Sequence, residues 1–428
     1  MDCHIELFAD DAWHSAARVS FSDDVRAGFR GDECVFEYAL DYVFGAVREP
    51  VSLTWPVDTE RHKLSAWPSF LYDLVPQGNG RKFLLGQLQL ADGQAADVPL
   101  LCAGAFNSIG RLRLREAVAY FEQHVERHDL VVNGFAFDEL LLRAPAFHET
   151  MMVHGMLSGG GTGIQGVAPK YLLTEADDGR WYPDAALPDA RARRHYIVKR
   201  PRGATEADRK VLRNEAAYLK TARLAGLRVS PMPQLHGDML FILRFDRRCE
   251  DGKVLRFHQE SLASLAGQAG FGMQANLFDL LAAMRRVVSD PARETREFIQ
   301  RDILNLAMRN TDNHARNSAV QTVDGVTRLT PLFDFAPMYL DPEGITRAAR
   351  WYRPDSRVEL KQWTDILPLL ALPTAEYEAL VRAMIDFGDV VGQLSATMVE
   401  AGVEPDIVAF LLPGIEEQRR QLLALGKP

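Results

Sequence analysis

A change of hydrophobic rhythm near Ser261 constrains this chain more than any other feature. Ahead of it, HIELF, ECVFEY and PVSLTW are short β-leaning runs with partial two-residue alternation, divided by Asp- and Gly-bearing turns. YLLTE, RWYP and HYIVKRP repeat the pattern further on, and Val229–Met232 and MLFILRFDRR supply two more strand candidates. Helical stretches are interleaved. Phe70, Leu71, Leu74 and Val75 share one helical face, ended by Pro76 and a Gly78-Asn79-Gly80 turn. Residues 114–130 follow the helical period, PAFHETMMVHGML is a further helix-like piece, and Arg213–Leu227 reads as a helix with a stop at Gly226. Past Ser261 the pattern is almost wholly helical, as in LFDLLAAMRRVV, FIQRDILNLAMRN and IVAFLLPGIEEQRRQLLAL. A mixed front and a helical back predict an α+β chain of two lobes with a cleft between them.

Composition narrows the function classes. The chain has 428 residues, 47% apolar and 25% charged, enough for several cores. Its four cysteines (Cys3, Cys34, Cys102, Cys249) are far apart in sequence and form no C-x-x-C pair. That argues against a disulfide scaffold or a zinc ribbon and for reduced thiols in the cytoplasm. No apolar run approaches the length of a membrane span, and MDCHIELFADD is acidic where a signal peptide is basic. The net charge of −9 counts against gripping DNA alone, since a DNA-binding face must displace counterions from phosphates. The one basic run, Arg191–Arg202, is too short to reverse that balance and reads as a solvated edge.

Three constellations carry candidate chemistry. Gly161-Thr162-Gly163-Ile164-Gln165-Gly166 satisfies G-x-G-x-x-G, and a strand-like VAPKYLL follows it where a dinucleotide fold would open a helix. A phosphate-covering loop between strands is the expectation, with a plain linker as the bland alternative. Next, YIVK ends in Lys199, placed to meet α- and β-phosphate oxygens, and Glu215 sixteen residues on could pair with it. The most specific feature is Asn310–Asn317, which follows the helix FIQRDILNLAMRN. Asp312 and Asn317 have the D-x-x-x-x-N spacing of a phosphotransferase loop: a carboxylate to accept the nucleophile's hydroxyl hydrogen bond, and an amide to reach a phosphate-bound magnesium. Arg316 between them could neutralise phosphate charge. Asp334 stands between apolar neighbours, where a divalent cation would offset the cost of burying a carboxylate. His236-Gly237-Asp238 reads as a turn because Leu243 stands where an asparagine is needed; His124 and His128 read as an exposed helical pair rather than a metal site.

In this order the elements resemble the HipA family of bacterial serine/threonine kinases, toxins of type II toxin–antitoxin systems. FLYDLVPQGNGR, GIQGVAPKYLL, HYIVKRP, NEAAYLKTARLAGL, RFDRR, TDNHARN and LTPLFDFAP each resemble a family segment. The resemblance implies a two-lobed, protein-kinase-like fold with a β-rich N-terminal subdomain (1–110), an ATP-binding lobe (111–248) and an all-α C-terminal lobe (249–428). Asp312 would take the catalytic-base position, and Asn317 and Asp334 would bind Mg²⁺. The glycine loop, Lys199, Glu215, His314, Arg316 and the backbone from Leu243 to Phe245 would surround ATP. A small helix-turn-helix antitoxin would be the partner and the route to DNA, with an aminoacyl-tRNA synthetase as the kind of substrate phosphorylated. Gly163 stands where many family toxins carry an autophosphorylated serine, leaving Ser158 and Thr162 as the nearest hydroxyls. Asn313 replaces a common glycine, a place where asparagine's tolerance of left-handed dihedrals matters. The alternatives are a catalytically silent scaffold or co-repressor, and a small-molecule kinase.

Overall fold

The computed structural model describes residues 1–21, 30–127, 132–143, 145–151 and 170–426. The chain divides into two compact units: Met1–Arg202 with Phe241–Phe271 and Gln321–Val323, and Gly203–Leu240 with Gly272–Val320 and Asp324–Pro428.

The first unit opens with strands β1 (Asp2–Ala9), β2 (Ala12–Phe21), β3 (Arg30–Tyr38), β4 (His62–Ala66) and β5 (Leu112–Leu114), in the order β4-β3-β2-β1-β5. Alternation decides which side is core: Cys3, Ile5 and Leu7 of β1 are fully buried. β1 and β2 join through Asp10-Asp11, both at positive φ, the conformation a two-residue hairpin needs. Leu71, Tyr72, Leu100, Leu101 and Leu114 complete this core; each such side chain contributes about 1.5–3 kcal/mol by leaving water. A second sheet has β6 (Lys170–Ala176), β7 (Trp181–Pro183), β8 (Ala192–Lys199) and β10 (Met239–Leu243) in the order β7-β6-β8-β10, β9 (Gln234–His236) preceding β10 in the chain. Three short strands come next in the chain: β11 (Arg247–Glu250), β12 (Lys253–Arg256) and β13 (His258–Ser261).

Several expectations for this region are corrected. PVSLTW forms no strand, only a bridge between Ser52 and Trp55, because Glu260 takes Ser52 Oγ and the Leu53 amide as donors. The four apolar residues before Pro76 are buried as expected, but over a short 3-10 turn, Ser69–Asp73. Gly78-Asn79-Gly80 is the first turn of a helix, Gly78–Leu88, rather than a break. His124 is buried, not on an exposed face. Cys3 and Cys102, remote in sequence, bring their Sγ atoms to 3.2 Å as free thiols.

The second unit starts with the helix Glu206–Leu224, longer at its front than the sequence reading because Thr205 and Asp208 form a capping box. His236-Gly237-Asp238 is the expected turn, with Gly237 at φ +59. Val229–Met232 makes only a single parallel bridge, Val229 to Leu332. The helices Leu277–Arg285, Pro291–Ala307, Thr374–Gly392, Leu394–Ala401 and Pro405–Ala424 dominate the remainder of the unit. The region past residue 248 is mainly helical but not wholly so. It also holds β14 (Ala275–Asn276), β15 (Ala319–Val323), β16 (Val326–Leu329) and β17 (Ala349–Arg350). β15 and β16 flank Asp324-Gly325, both at positive φ, a hairpin signal hidden by the shortness of its strands. Among the described residues no helix is long and apolar enough to cross a membrane.

Candidate active site

The helix Pro291–Ala307 delivers the chain to the Asn310–Asn317 loop. Asp290 caps its start, accepting from the Arg293 amide at 3.1 Å. Its end is fixed by the Tyr218 hydroxyl, which donates to the Met308 carbonyl at 3.1 Å, and by Arg309 in the left-handed region at φ +51. Glu294, Glu297, Arg301 and Asn305 recur at three- and four-residue spacing, so one helix face carries a polar stripe toward the loop.

Inside the loop, Asn317 Nδ2 donates to the Asp312 carbonyl at 2.8 Å, and the Asn317 amide to the His314 carbonyl at 2.8 Å. That pose leaves the Asn317 Oδ1 without a donor among the described residues, an acceptor suited to a cation. His314 Nε2 lies 3.6 Å from Asp312 Oδ1. Asp334 reaches the same recess, which Asp302, Asn305, Asp312, His314 and Asn317 also line. Asp334 sits at φ +49, a left-handed conformation uncommon for a residue with a Cβ.

That backbone is held by charges the sequence reading did not single out. Arg228 ion-pairs with Glu294 and, at 2.6 Å, with Glu297. Arg301 pairs with Glu297 and donates to the Thr330 carbonyl at 2.7 Å. The Leu329 amide donates to Glu294 Oε2 at 2.9 Å, and the Leu332 amide to the Arg228 carbonyl at 2.8 Å. The strand leading into Asp334 is therefore tied at three successive points. Burial alone would raise the Glu297 carboxyl, but Arg301 and Arg228 outweigh it and hold it below the ordinary range; burial pushes Arg301 down. The helical spacing of the stripe is the signal that could have found these residues.

Asn313 does something other than expected. It is not among the residues at positive φ. Its side chain clasps a neighbouring segment: Nδ2 donates to the Ala349 carbonyl at 2.7 Å, and Oδ1 accepts from the Ala348 and Ala349 amides at 3.1 and 3.3 Å. Asp302 secures the same segment, accepting from Arg347 at 2.6 Å and from Trp351 Nε1 at 2.9 Å.

The other candidates are divided between the two units. Lys199 ends β8 opposite Lys170 and is buried. Glu215, of the second unit, is buried on the helix Glu206–Leu224. Gly161–Gly166, Ser158 and Thr162 lie outside the described residues. Leu243 ends β10, and the Phe245 carbonyl accepts from Gln321 Nε2 at 2.6 Å. Arg244 between them is sealed in a charge cluster. It donates to Asp184 at 2.9 Å and to Asp246 at 2.9 and 2.6 Å, and Arg247 adds a bond to Asp184 at 3.0 Å. Its own amide donates to the His195 carbonyl at 2.9 Å. Gly110, at φ +90, sends its amide to Asp246 Oδ2 at 2.9 Å; an added Cβ would meet Gln259 at 3.4 Å. Burial would raise the Asp184 carboxyl, but His195, Arg247 and Arg244 hold it well below the usual range. Burial pushes the His195 imidazole below its ordinary value, and its Nδ1 lies against the Asp184 carboxylate.

A family model described as the HipA-like C-terminal domain matches residues 162–390, more than half of the chain. The chain belongs to the HipA family. A second model, the HipA N-terminal domain, matches residues 25–115. Among solved structures, HipA of the Shewanella oneidensis MR-1 toxin–antitoxin system, in complex with HipB and its operator DNA, is similar over 99% of this chain and 96% of that one. The TM-score is 0.62 at 17% identity, a likeness of fold. The Helicobacter pylori proinflammatory kinase CtkA aligns with 54% of this chain and 86% of its own, at 13% identity and a TM-score of 0.38, too low to bear on the argument. No curated protein matches the sequence. The mixed α/β, HipA-like fold read from the sequence is the one found.

Proposed function

We propose that this HipA-family chain is an ATP- and Mg²⁺-dependent serine/threonine protein kinase that acts as a growth-inhibiting toxin in the cytoplasm. The observation that carries the reading is the gathering of Asp312, Asn317 and Asp334 around one recess of the second unit. Asp312 accepts the hydrogen bond of the acceptor hydroxyl and orients its oxygen for attack. Asn317 Oδ1 and the Asp334 carboxylate suit Mg²⁺, which takes one or two protein oxygens and completes its shell with water and substrate phosphates. Among the described residues no group of three or more His, Cys, Asp or Glu is placed to hold a metal by itself, consistent with an ion that arrives on the nucleotide. The bound ion would supply charge neutralisation to the transferring phosphoryl group.

Lys199, Glu215, His314, Arg316, the Gly161–Gly166 loop and the Leu243–Phe245 backbone are assigned to ATP by the family resemblance, and the three-part division at residues 110 and 248 belongs to the same proposal. A helix-turn-helix antitoxin is the proposed partner, supported by the HipB and DNA in the similar Shewanella structure and by the net charge of −9, which leaves DNA to a basic partner. The proposed substrate is a translation protein of the aminoacyl-tRNA synthetase kind.

Incubating the purified chain with γ-labelled ATP, Mg²⁺ and cell extract tests this. Labelled protein bands are expected, and Asp312→Asn should cut labelling by about 10²–10⁴-fold with an unchanged melting temperature. Full labelling by that variant would overturn the role of Asp312. Label confined to small solutes would indicate a small-molecule kinase, and absence of Mg²⁺-dependent ATP binding a silent scaffold.

A further inference from the structure

The second unit contains a separate cavity of about 350 Å³, within the range of small-molecule pockets. Its lining is chemically two-sided. Arg347, Arg350 and Lys361 supply three positive charges. Arg350 is matched by Glu359 at 3.0 Å and Arg347 by Asp302, but Arg347 Nη1 is buried with no partner and Lys361 has no acidic partner among the described residues. Against these cations the cavity also has Gln421 and Glu417, whose carboxylate already pairs with Arg420 on one oxygen. The Gln421 amide donates from Nε2 to Glu417 at 2.7 Å, and its Oε1 is buried with no donor. Gln421 is only 6% exposed, and it lines the cavity. Trp351 and Trp363 contribute apolar wall, the Trp363 indole N–H being already used on Gln418 at 2.9 Å.

Orphaned buried donors and acceptors are costly unless a ligand completes them. Here the Arg347 Nη1 donor and the Lys361 ammonium group wait for an oxyanion, while an acceptor beside a carboxylate waits for an N–H. We propose that this cavity binds a free α-amino acid with an apolar or aromatic side chain. Its carboxylate meets Arg347 and Lys361, its ammonium group meets Gln421 Oε1 and Glu417, and its side chain lies against the tryptophan wall. No step of the kinase reading is needed for this. The site is nevertheless not remote from it, because the segment carrying Arg347, Arg350 and Trp351 is the one that Asn313 of the loop clasps.

Calorimetric titration of the full chain, without ATP, with L-tryptophan, L-phenylalanine and L-leucine tests the proposal, and its outcome is independent of phosphoryl transfer. Saturable binding is expected from at least one of them. Indole-3-propionate, which lacks the amine, and tryptamine, which lacks the carboxylate, should each bind about tenfold more weakly than tryptophan or worse. Gln421→Leu should weaken the amino acid about tenfold, and Lys361→Gln, at an exposed position that leaves the fold intact, should weaken it severalfold. No saturable heat from any of the three amino acids, equal binding of the two half-molecules, or unaltered affinity in Lys361→Gln would each overturn the assignment.

Discussion

Each unit of this protein is built around a buried set of two carboxylates and two guanidinium groups, and the two sets are used differently. In the first unit Asp184, Asp246, Arg244 and Arg247 have side chains almost wholly out of water. In the second, Glu294, Glu297, Arg228 and Arg301 keep one open edge, the Arg228 side chain being 20% exposed. The sealed set fixes the backbone on either side of Arg244, between Leu243 and Phe245. The open set fixes the strand that ends at Asp334. Both orient a backbone assigned to the proposed site, through charge-assisted bonds rather than through apolar packing. The difference lies in solvent: a sealed set tolerates no unpaired member, whereas an edge on water can relax.

The largest expected effect comes from Asp184→Asn, which strands Arg244 and Arg247 with one carboxylate between them. Denaturant unfolding followed by hydrogen exchange in the first unit should show a loss of about 3–5 kcal/mol. Glu297→Gln is expected to cost less, about 2 kcal/mol, because Arg228 can turn to water and Arg301 keeps the Thr330 carbonyl. Its transfer rate should nevertheless fall, since the strand into Asp334 loosens. A loss in Glu297→Gln equal to that in Asp184→Asn would break the distinction.

Acid should separate the units too. Burial lowers His195 in the folded protein, so it binds a proton more readily when unfolded and the first unit begins to lose stability as pH falls below about 6.5. The depressed carboxylates of both sets act lower. Their stabilisation is present above the unfolded value near 4 and is lost as pH falls through their folded values. Exchange rates measured between pH 7 and pH 3 should therefore rise first in the first unit; simultaneous onset would count against a lowered His195. The smallest effect is expected from Arg191→Ala, whose pairs with Asp177 and Asp178 are exposed, so that its thermal melt should overlay that of the parent chain.

Much of the site was legible because its signals are local. Asp312 and Asn317 sit five residues apart on one loop, and the hydrogen bond between them spans only that loop. Asp334 was legible as an acid in apolar surroundings. The clasp of Asn313 on Ala348 and Ala349 was not, since its partners lie 35 and 36 residues away with no spacing to announce them. The same holds for Arg244, which stands in the strand candidate MLFILRFDRR with nothing to announce that its side chain is wholly out of water.

What the amino-acid order determined by itself was therefore the material decided by neighbours a few residues apart: alternation in β1, the capping box at Thr205, the turn at Gly237, the catalytic-type spacing of the loop. Tertiary structure alone decided which charges go inside, that Cys3 would meet Cys102, and that PVSLTW would surrender its amide to Glu260 instead of a strand. The physical reason is that burying a charge or breaking a strand is unfavourable locally, and becomes favourable only when partners distant in the chain arrive to complete the bonds.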